Sequence, residues 1–533
     1  MGEDPELATV TGSAEIVGTP DPTHRRTEPP RDLRSLARRG ALSVVGAGVS
    51  AVASLAVVLV VTRSLSKAEA GAFFSTTSAF TILFTVATLG TTTGLVYFIA
   101  RSRADDDAAT VPAHLRAGLL PVAAISLAAA VALVLAAEPL ARLLVGPEQE
   151  TLGATALRLL ALFVPMAALH QAVSAATQGF HTMAPTVWVD KIGRPVLQLA
   201  LLLAVLLGAA VLPGVPGLPG AVLAWSLPYA AALVATVWWL QRLVRRDRHS
   251  TPVVNRTKNG QSREFWTYTG PRGIAVCGQI VLQRLDIVLV AILLGAAPAA
   301  VYTAATRFAV LVQLGSQAVA LATQSRLSQL AAQDDLASVR VVYQTATTWV
   351  IGLTWPLNAL AAVYATQLLD LFGPGYDQGR WVVVLLAVGM LVATGCGMVS
   401  MVLVMLGRTV DNLVNVGVAV GVSVVLDLVL IPHFGLIGAG LAWALAMAVA
   451  NLLPLAQIHH RFGLHPFGRT TVATAALALA CWLVLPLAVS AVTDNVTVTV
   501  AALVTAAVAY ALGLARLLHV GRNISIRRGR QHS

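Results

Sequence analysis

The sequence predicts an all-α membrane protein of about fourteen transmembrane helices, built as two parallel six-helix repeats around a central cavity with an extra C-terminal helix pair. Three observations carry that prediction: composition, the distribution of basic residues, and an internal repeat. Of 533 residues 57% are hydrophobic and only 11% charged, against about a quarter charged in soluble domains. Apolar runs of about 20 residues, enough to cross roughly 30 Å of hydrocarbon, recur from Ala41 almost to the C-terminus.

Taken in order, residues 1–40 are polar and Arg-rich (Arg25, Arg26, Arg31, Arg34, Arg38, Arg39), lack a short apolar core with a cleavage site, and are expected to form a disordered cytoplasmic tail. A first lobe over 41–240 carries spans near 41–62, 72–99, 117–137, 154–177, 185–211 and 219–240. A basic cytoplasmic linker, 241–265, follows. The second lobe, 266–460, carries spans near 266–294, 299–324, 345–366, 381–406, 410–431 and 435–458. Spans near 471–489 and 496–515 form the extra pair (471–515), and 516–533 is a basic cytoplasmic tail.

Orientation follows Lys and Arg. With both termini cytoplasmic, 26 of the 36 basic residues fall in cytoplasmic segments and four (Arg63, Lys67, Arg142, Arg380) outside. The charges therefore follow topology rather than one surface, which argues against nucleic-acid binding despite a pI near 10.2.

The repeat is read from Gly217–Trp225 (GLPGAVLAW) and Gly435–Trp443 (GLIGAGLAW), identical at seven of nine positions. Leu144-Val145-Gly146-Pro147 echoes Leu371-Phe372-Gly373-Pro374, and Leu65, Gly71 and Phe73 echo Leu294, Ala300 and Tyr302. Units of six spans both start inside, so they are related by an axis along the membrane normal.

Cys277, Cys396 and Cys481 lie in apolar runs, and neither a disulfide framework nor a metal or cofactor site is expected. His459 and His460 are one interfacial pair, and Asp105-Asp106-Asp107 reads as a solvated charge run.

A charge at mid-bilayer costs about 2.5 to 3.5 kcal/mol even on insertion scales, so each intramembrane charge should face protein or water. At helical spacing, Arg272, Gln279, Gln283 and Asp286 share one face of the seventh span, and Thr303, Thr306, Arg307, Gln313, Gln317 and Gln324 one arc of the eighth. Asp190, Lys191, Arg194 and Gln198 do so in the fifth, and His170, Gln171, Ser174 and Gln178 in the fourth. The bland alternative, interhelical hydrogen bonding worth about 0.6 kcal/mol each, fits the Gln, Ser and Thr positions equally well. Asp190 is expected to neutralise Lys191 or Arg194, and Asp286 to neutralise Arg284. Arg272 and Arg307 lack a near acid, and are expected to line a cavity for an anionic headgroup, which Arg grips through two hydrogen bonds. Asp427 would bind a coupling cation or, more simply, serve packing.

The segment Leu428–Ala439 (LVLIPHFGLIGA) resembles a signature of the polysaccharide exporter, or lipid-linked oligosaccharide flippase, branch of the multidrug/oligosaccharidyl-lipid/polysaccharide (MOP) superfamily. Thr62–Phe73, Asp286 with Leu294-Gly295, and Val301–Phe308 resemble further parts of it, over about residues 41–460. Two departures are Asp427, where relatives often have Asn, and Thr323, where many have Pro. The resemblance implies a non-enzymatic transporter in the cytoplasmic membrane. It would flip polyprenyl-diphosphate-linked oligosaccharides for cell-surface polysaccharide biosynthesis by alternating access, with membrane lipid and a coupling cation as further partners. On that reading Arg272, Arg307, Arg284, Lys191 and Arg194 neutralise the diphosphate and Gln279, Gln283 and Gln317 meet sugar hydroxyls. The extra helix pair would hold the lipid tail, while Asp286, Asp190 and Asp427 serve ion coupling or charge pairing. The rivals are a cation-coupled multidrug exporter of the same superfamily and a membrane glycosyltransferase or polymerase.

Overall fold

The computed structural model describes residues 33–105, 110–211, 217–248, 261–493 and 495–529. In hydrocarbon a backbone must satisfy its own hydrogen bonds, and among the described residues every regular element is helical. Among the described residues twelve helices are long and apolar enough to cross a membrane, against the fourteen spans expected. The longest of them, 54 residues from Thr409 to Phe462, is interrupted by non-helical backbone at Gly435 (φ 59°, ψ −135°), the first residue of the expected twelfth span. The expected fifth span is a π-helical turn over Thr186–Gly193 running into an α-helix, and is not among the twelve.

The first half begins with α1 (Leu33–Ser64), so the last residues of the expected tail are helical: no Pro or Gly interrupts the chain between Pro30 and Gly40. Ser66 starts α2 (Lys67–Ala87) through a reciprocal cap, its hydroxyl accepting from the Glu69 amide while the Glu69 carboxylate accepts from the Ser66 amide. The second span was expected unbroken. Instead Leu89 (φ 51°) and Gly90 (φ 70°) break it before α3 (Thr91–Ala104). Gly90 lies directly on the backbone of Gly273, where a Cβ would overlap, and only glycine takes that conformation without strain. Then come α4 (Val111–Leu135), α5 (Ala137–Val145), α6 (Glu150–Gly179), α7 (Arg194–Val211) and α8 (Gly217–Arg248).

The second half opens with α9 (Gln261–Leu294) and α10 (Ala296–Ala332), a helical hairpin turning at Gly295 (φ 98°). It continues through α11 (Leu336–Val363), α12 (Ala365–Asp370), α13 (Arg380–Gly395), α14 (Val399–Met405) and α15 (Thr409–Phe462). The tenth span, also expected unbroken, divides between α13 and α14 at Gly397 (φ 68°), whose Cα has Thr347 against it. Last come α16 (Arg469–Leu479), α17 (Leu485–Val492), joined to it by a π turn, and α18 (Val496–Gly529). α18 thus carries helix well into the expected C-terminal tail, and α8 and α9 take up both ends of the expected linker. Residues 1–32, Asp106, Asp107, 249–260 and 530–533 lie outside the described residues.

The two halves share a local order of elements. α4 and α5 are followed by Gly146 (φ 88°), Pro147, a 3-10 turn and the long α6; α11 and α12 are followed by Gly373 (φ 123°), Pro374, a 3-10 turn and α13. These are the places where the LVGP and LFGP strings fall.

Between transmembrane helices lipid supplies no hydrophobic drive, so close approach at small residues does much of the work. α2 packs on both α9 and α10. A methyl group on Gly71 would overlap the Ala296 carbonyl, and one on Gly273 would crowd Leu89. Near the opposite end from the basic loops, the Arg63 guanidinium donates to the carbonyls of Leu371 (2.8 Å) and Asp370 (2.9 Å), tying the end of α1 to the end of α12. α9 has a double allegiance, packing on α2, α3 and α4 of the first half and on α10 and α15 of the second. Within it Pro271 stands between Gly270 and Gly273. The C-terminal pair flanks α11: α16 packs on it, and the Tyr510 hydroxyl donates to the Gly352 carbonyl at 2.8 Å.

Candidate functional site

A cavity of about 1080 Å³ lies in the first half, walled by α3, α6, the π turn, the start of α7, α8 and the first turns of α9. Its mouth is at the end that carries the basic loops, near Arg101, Ala104 and His181.

At its deep end is a closed network. The Arg194 Nε donates to Asp190 Oδ1 at 3.1 Å, one turn back across the π segment. Arg194 Nη1 reaches Gln198 Oε1 and the Tyr229 hydroxyl, both at 3.4 Å, with the guanidinium 4.9 Å from the Tyr229 ring. Buried His170 sits between Asp190 Oδ1 (3.4 Å) and the Thr236 hydroxyl (3.3 Å). Asp190 therefore neutralises Arg194. Lys191 points elsewhere, donating to Ser43 of α1 at 3.0 Å, and is not in the cavity wall. The widened π turn explains the split, because it re-aims side chains that an α-helix would keep on one face.

Gln171, Ser174 and Gln178 line the cavity, as their shared face on α6 predicts. Gln178 donates to the Thr186 hydroxyl (3.1 Å), which also meets Ser174 (3.3 Å), while Gln171 Oε1 is buried without a hydrogen-bond partner. At the mouth Tyr97 of α3 and Tyr268 of α9 stack face to face, with centroids 4.2 Å apart. Arg101 pairs with Glu264 of α9 (3.0 Å) and Asp105 (3.8 Å). Arg272 is exposed, its guanidinium 3.7 Å from the Tyr268 ring and bonded to the Tyr268 carbonyl.

The second cluster of charges lies on the α9–α10 hairpin. The sequence grouped Arg307 with Arg272; the structure groups it with Arg284, and the two guanidinium groups lie within electrostatic range of each other and of Asp286. The register of a helical hairpin explains this: residues 284 and 307 stand almost equally far from Gly295, hence at one depth. Arg307 is 9% exposed and among the described residues donates to its own-turn carbonyl, Thr303. Half-buried Arg284 makes no hydrogen bond or contact ion pair among the described residues, and faces Tyr229 of the cavity wall within electrostatic range. Asp286, expected to neutralise Arg284, lies within electrostatic range of it but makes no contact ion pair with it among the described residues. Its oxygens accept from the Tyr302 hydroxyl (2.7 Å) and the Ile287 amide (2.8 Å).

Asp427 on α15 is 1% exposed, with Asp286 within electrostatic range, and Ser423 at 3.5 Å from one oxygen while the other has no partner. Gln279, Gln283 and Gln317 are exposed and lie outside the cavity wall. His459 and His460 are exposed, the three cysteines are free, and no cluster of metal-ligating side chains occurs among the described residues.

Tyr97, Arg101, Tyr229, Glu264 and Tyr268 were not singled out by sequence. The legible signal for one was the spacing of Trp225 and Tyr229, neighbours on one helix face whose rings lie 5.6 Å apart beside Phe80. Nothing local marks Tyr97 and Tyr268, which meet only because α3 and α9 do.

Comparison with known proteins places this architecture. Residues 36–324, more than half of the chain, match the family described as polysaccharide biosynthesis protein, and 271–429 match MatE. A probable low-salt glycan biosynthesis flippase, Agl15, from Haloferax volcanii is 24% identical over 245 residues, 44% of this chain; the match spans about half (49%) of that relative's length. The fold is similar to the lipid II flippase MurJ in an inward closed conformation (TM-score 0.69, 13% identity, 89% of this chain and 98% of that one). It is also similar to an inward-facing multidrug resistance MATE family transporter of the MOP superfamily (TM-score 0.58, 17% identity, 78% and 95%). A MOP superfamily transporter from Pyrococcus furiosus gives a TM-score of 0.55 at 16% identity, over 81% and 96%. The fold is thus that of a multi-pass MOP transporter.

Proposed function

Since the chain belongs to the polysaccharide biosynthesis protein family, we propose that it is a flippase carrying a polyprenyl-diphosphate-linked oligosaccharide from the cytoplasmic to the outer leaflet of the cytoplasmic membrane. The observation that carries this reading is the pair Arg284 and Arg307, two cations within electrostatic range of one another on the α9–α10 hairpin, neither in a contact ion pair among the described residues. A diphosphate cannot cross hydrocarbon bare, because an isolated buried charge is strongly disfavoured. Two guanidinium groups replace its hydration and grip it bidentately. The sugars occupy the neighbouring cavity, with Tyr229 between the two regions. Arg272 at the mouth meets the incoming headgroup, and Lys191, held by Ser43, is left out of the site.

The duplicated halves rock about α9 and α10 to open the site alternately to each side, over fourteen crossings with both termini cytoplasmic. Asp286 and Asp427 are the seat of a coupling cation: Asp427 offers an oxygen without a partner, and Asp286 lies within electrostatic range. The pair α16–α18 offers the lipid tail an apolar flank, where Val498, Val504 and Val508 are exposed.

The MatE match favours a second reading, a cation-coupled exporter of drugs. Reconstituted vesicles loaded with a polyprenyl-diphosphate disaccharide separate the two. Protein-dependent appearance of the sugar in the opposite leaflet supports the flippase, and its absence together with cation-driven dye efflux overturns it. In cells, deletion should leave a lipid-linked glycan accumulating on the cytoplasmic face.

A further inference from the structure

The cavity's charges are already spent on one another, and its free chemistry is neutral. Each arginine in its wall has an acid: Arg194 has Asp190 at 3.1 Å, and Arg101 has Glu264 at 3.0 Å. Arg194 is further committed to Gln198 and Tyr229. What remains to meet a ligand is amide, hydroxyl and aromatic surface. The Gln171 oxygen is a buried acceptor without a donor among the described residues, a cost that is relieved when its amide, in the cavity wall, turns toward a ligand hydroxyl. Stacked Tyr97 and Tyr268 give the same cavity a flat apolar face. A sugar ring presents matching surfaces, hydroxyl donors on its rim and C–H groups on its faces.

We infer that this cavity is a saccharide subsite selective for uncharged sugars, with Gln171 accepting a sugar hydroxyl and Asp190 rejecting sugars that carry a carboxylate. The inference rests on the flippase reading above and goes beyond it by assigning the glycan's charge class. A uronate entering the cavity would bring a second negative charge toward Asp190 and find no uncommitted arginine in the wall. Desolvating it there without a partner disfavours binding. Rejection therefore comes from a closed ion pair rather than from bulk.

The test measures binding to the full chain in nanodiscs with three probes: farnesyl diphosphate, its N-acetylglucosamine conjugate and its glucuronic acid conjugate. The neutral conjugate should bind at least about tenfold more tightly than the uronate, the scale of one lost buried hydrogen bond or more. Gln171→Leu should bring the ratio of neutral conjugate to bare farnesyl diphosphate toward one. Asp190→Asn should narrow the gap between the two conjugates. Equal binding of both conjugates by the unaltered protein overturns the inference and leaves the flippase reading standing. Failure of all three probes to bind, bare diphosphate included, overturns both. The comparison on the unaltered protein decides the matter even if Asp190→Asn does not fold.

Discussion

Tyr97 and Tyr268 lie face to face, 4.2 Å between ring centroids and 16° from parallel, although 171 positions separate them in the chain. One belongs to the first half and the other to the helix that opens the second, so the stack closes the seam beside the cavity mouth. Next to it Arg101 and Glu264 form an ion pair with both side chains about half exposed. An exposed pair contributes about 0.2–1 kcal/mol and an aromatic pair about 0.5–1.5 kcal/mol beyond its buried area. Tyr268→Ala should therefore weaken the closed seam more than Glu264→Gln. A cysteine pair replacing Arg101 and Glu264, joined by a cleavable bifunctional thiol reagent, should arrest transport until the bridge is cleaved; transport by the cross-linked protein would show that this seam does not open.

Arg307→Ala and Arg284→Ala should each abolish complementation of a deletion strain while the protein stays at normal levels in the membrane. Arg272→Ala should be milder, since its guanidinium is exposed and rests on a ring. Arg307→Lys should recover only part of the activity, because an ammonium lacks the planar fork. Complementation at full strength by both alanine variants would remove the diphosphate assignment.

Gly71→Ala and Gly273→Ala should each lower the detergent melting temperature by several degrees, as expected for an over-packed contact costing about 1–3 kcal/mol. Gly48→Ala, where an added methyl meets nothing, is the control and should not shift it. Similar melting for all three would mean that the close approach of α2 to α10, and of the break after α2 to α9, contributes little.

Asp427→Asn should make transport insensitive to the imposed cation gradient, since the coupling reading places the ion against its unpartnered oxygen. A gradient dependence unchanged in the variant would return Asp427 to a packing role.

Helix positions and the polar face of the fourth span were legible because hydropathy and a 3.6-residue period are local properties. His170, Gln171, Ser174 and Gln178 share a face in the sequence and a cavity or its wall in the structure. The breaks at Gly90 and Gly397 were not legible, because each is dictated by what lies across from it, Gly273 in one case and Thr347 in the other. Helical-wheel arithmetic also misassigned partners. It put Asp190 and Lys191 on one face, which the π turn separates, while the lack of a near acid grouped Arg307 with Arg272, although the turn at Gly295 sets Arg284 level with Arg307. Asp286 went to Tyr302 for the same reason, the two standing nine and seven residues from that turn. Counting outward from a hairpin's glycine would have recovered both pairings.

Pro271 has no amide hydrogen to give the carbonyl of Thr267, with Gly270 immediately before it and Gly273 two residues after it. The backbone ladder of α9 is therefore interrupted just beyond Tyr268 and well before Asp286. That arrangement mechanically insulates the two ends of one helix: the first turns can tilt with the tyrosine stack while the remainder keeps the acid pocket in register. Spin labels at positions 264 and 288 would then report a change of angle between the two segments across the transport cycle, with the distance between 288 and 302 held constant.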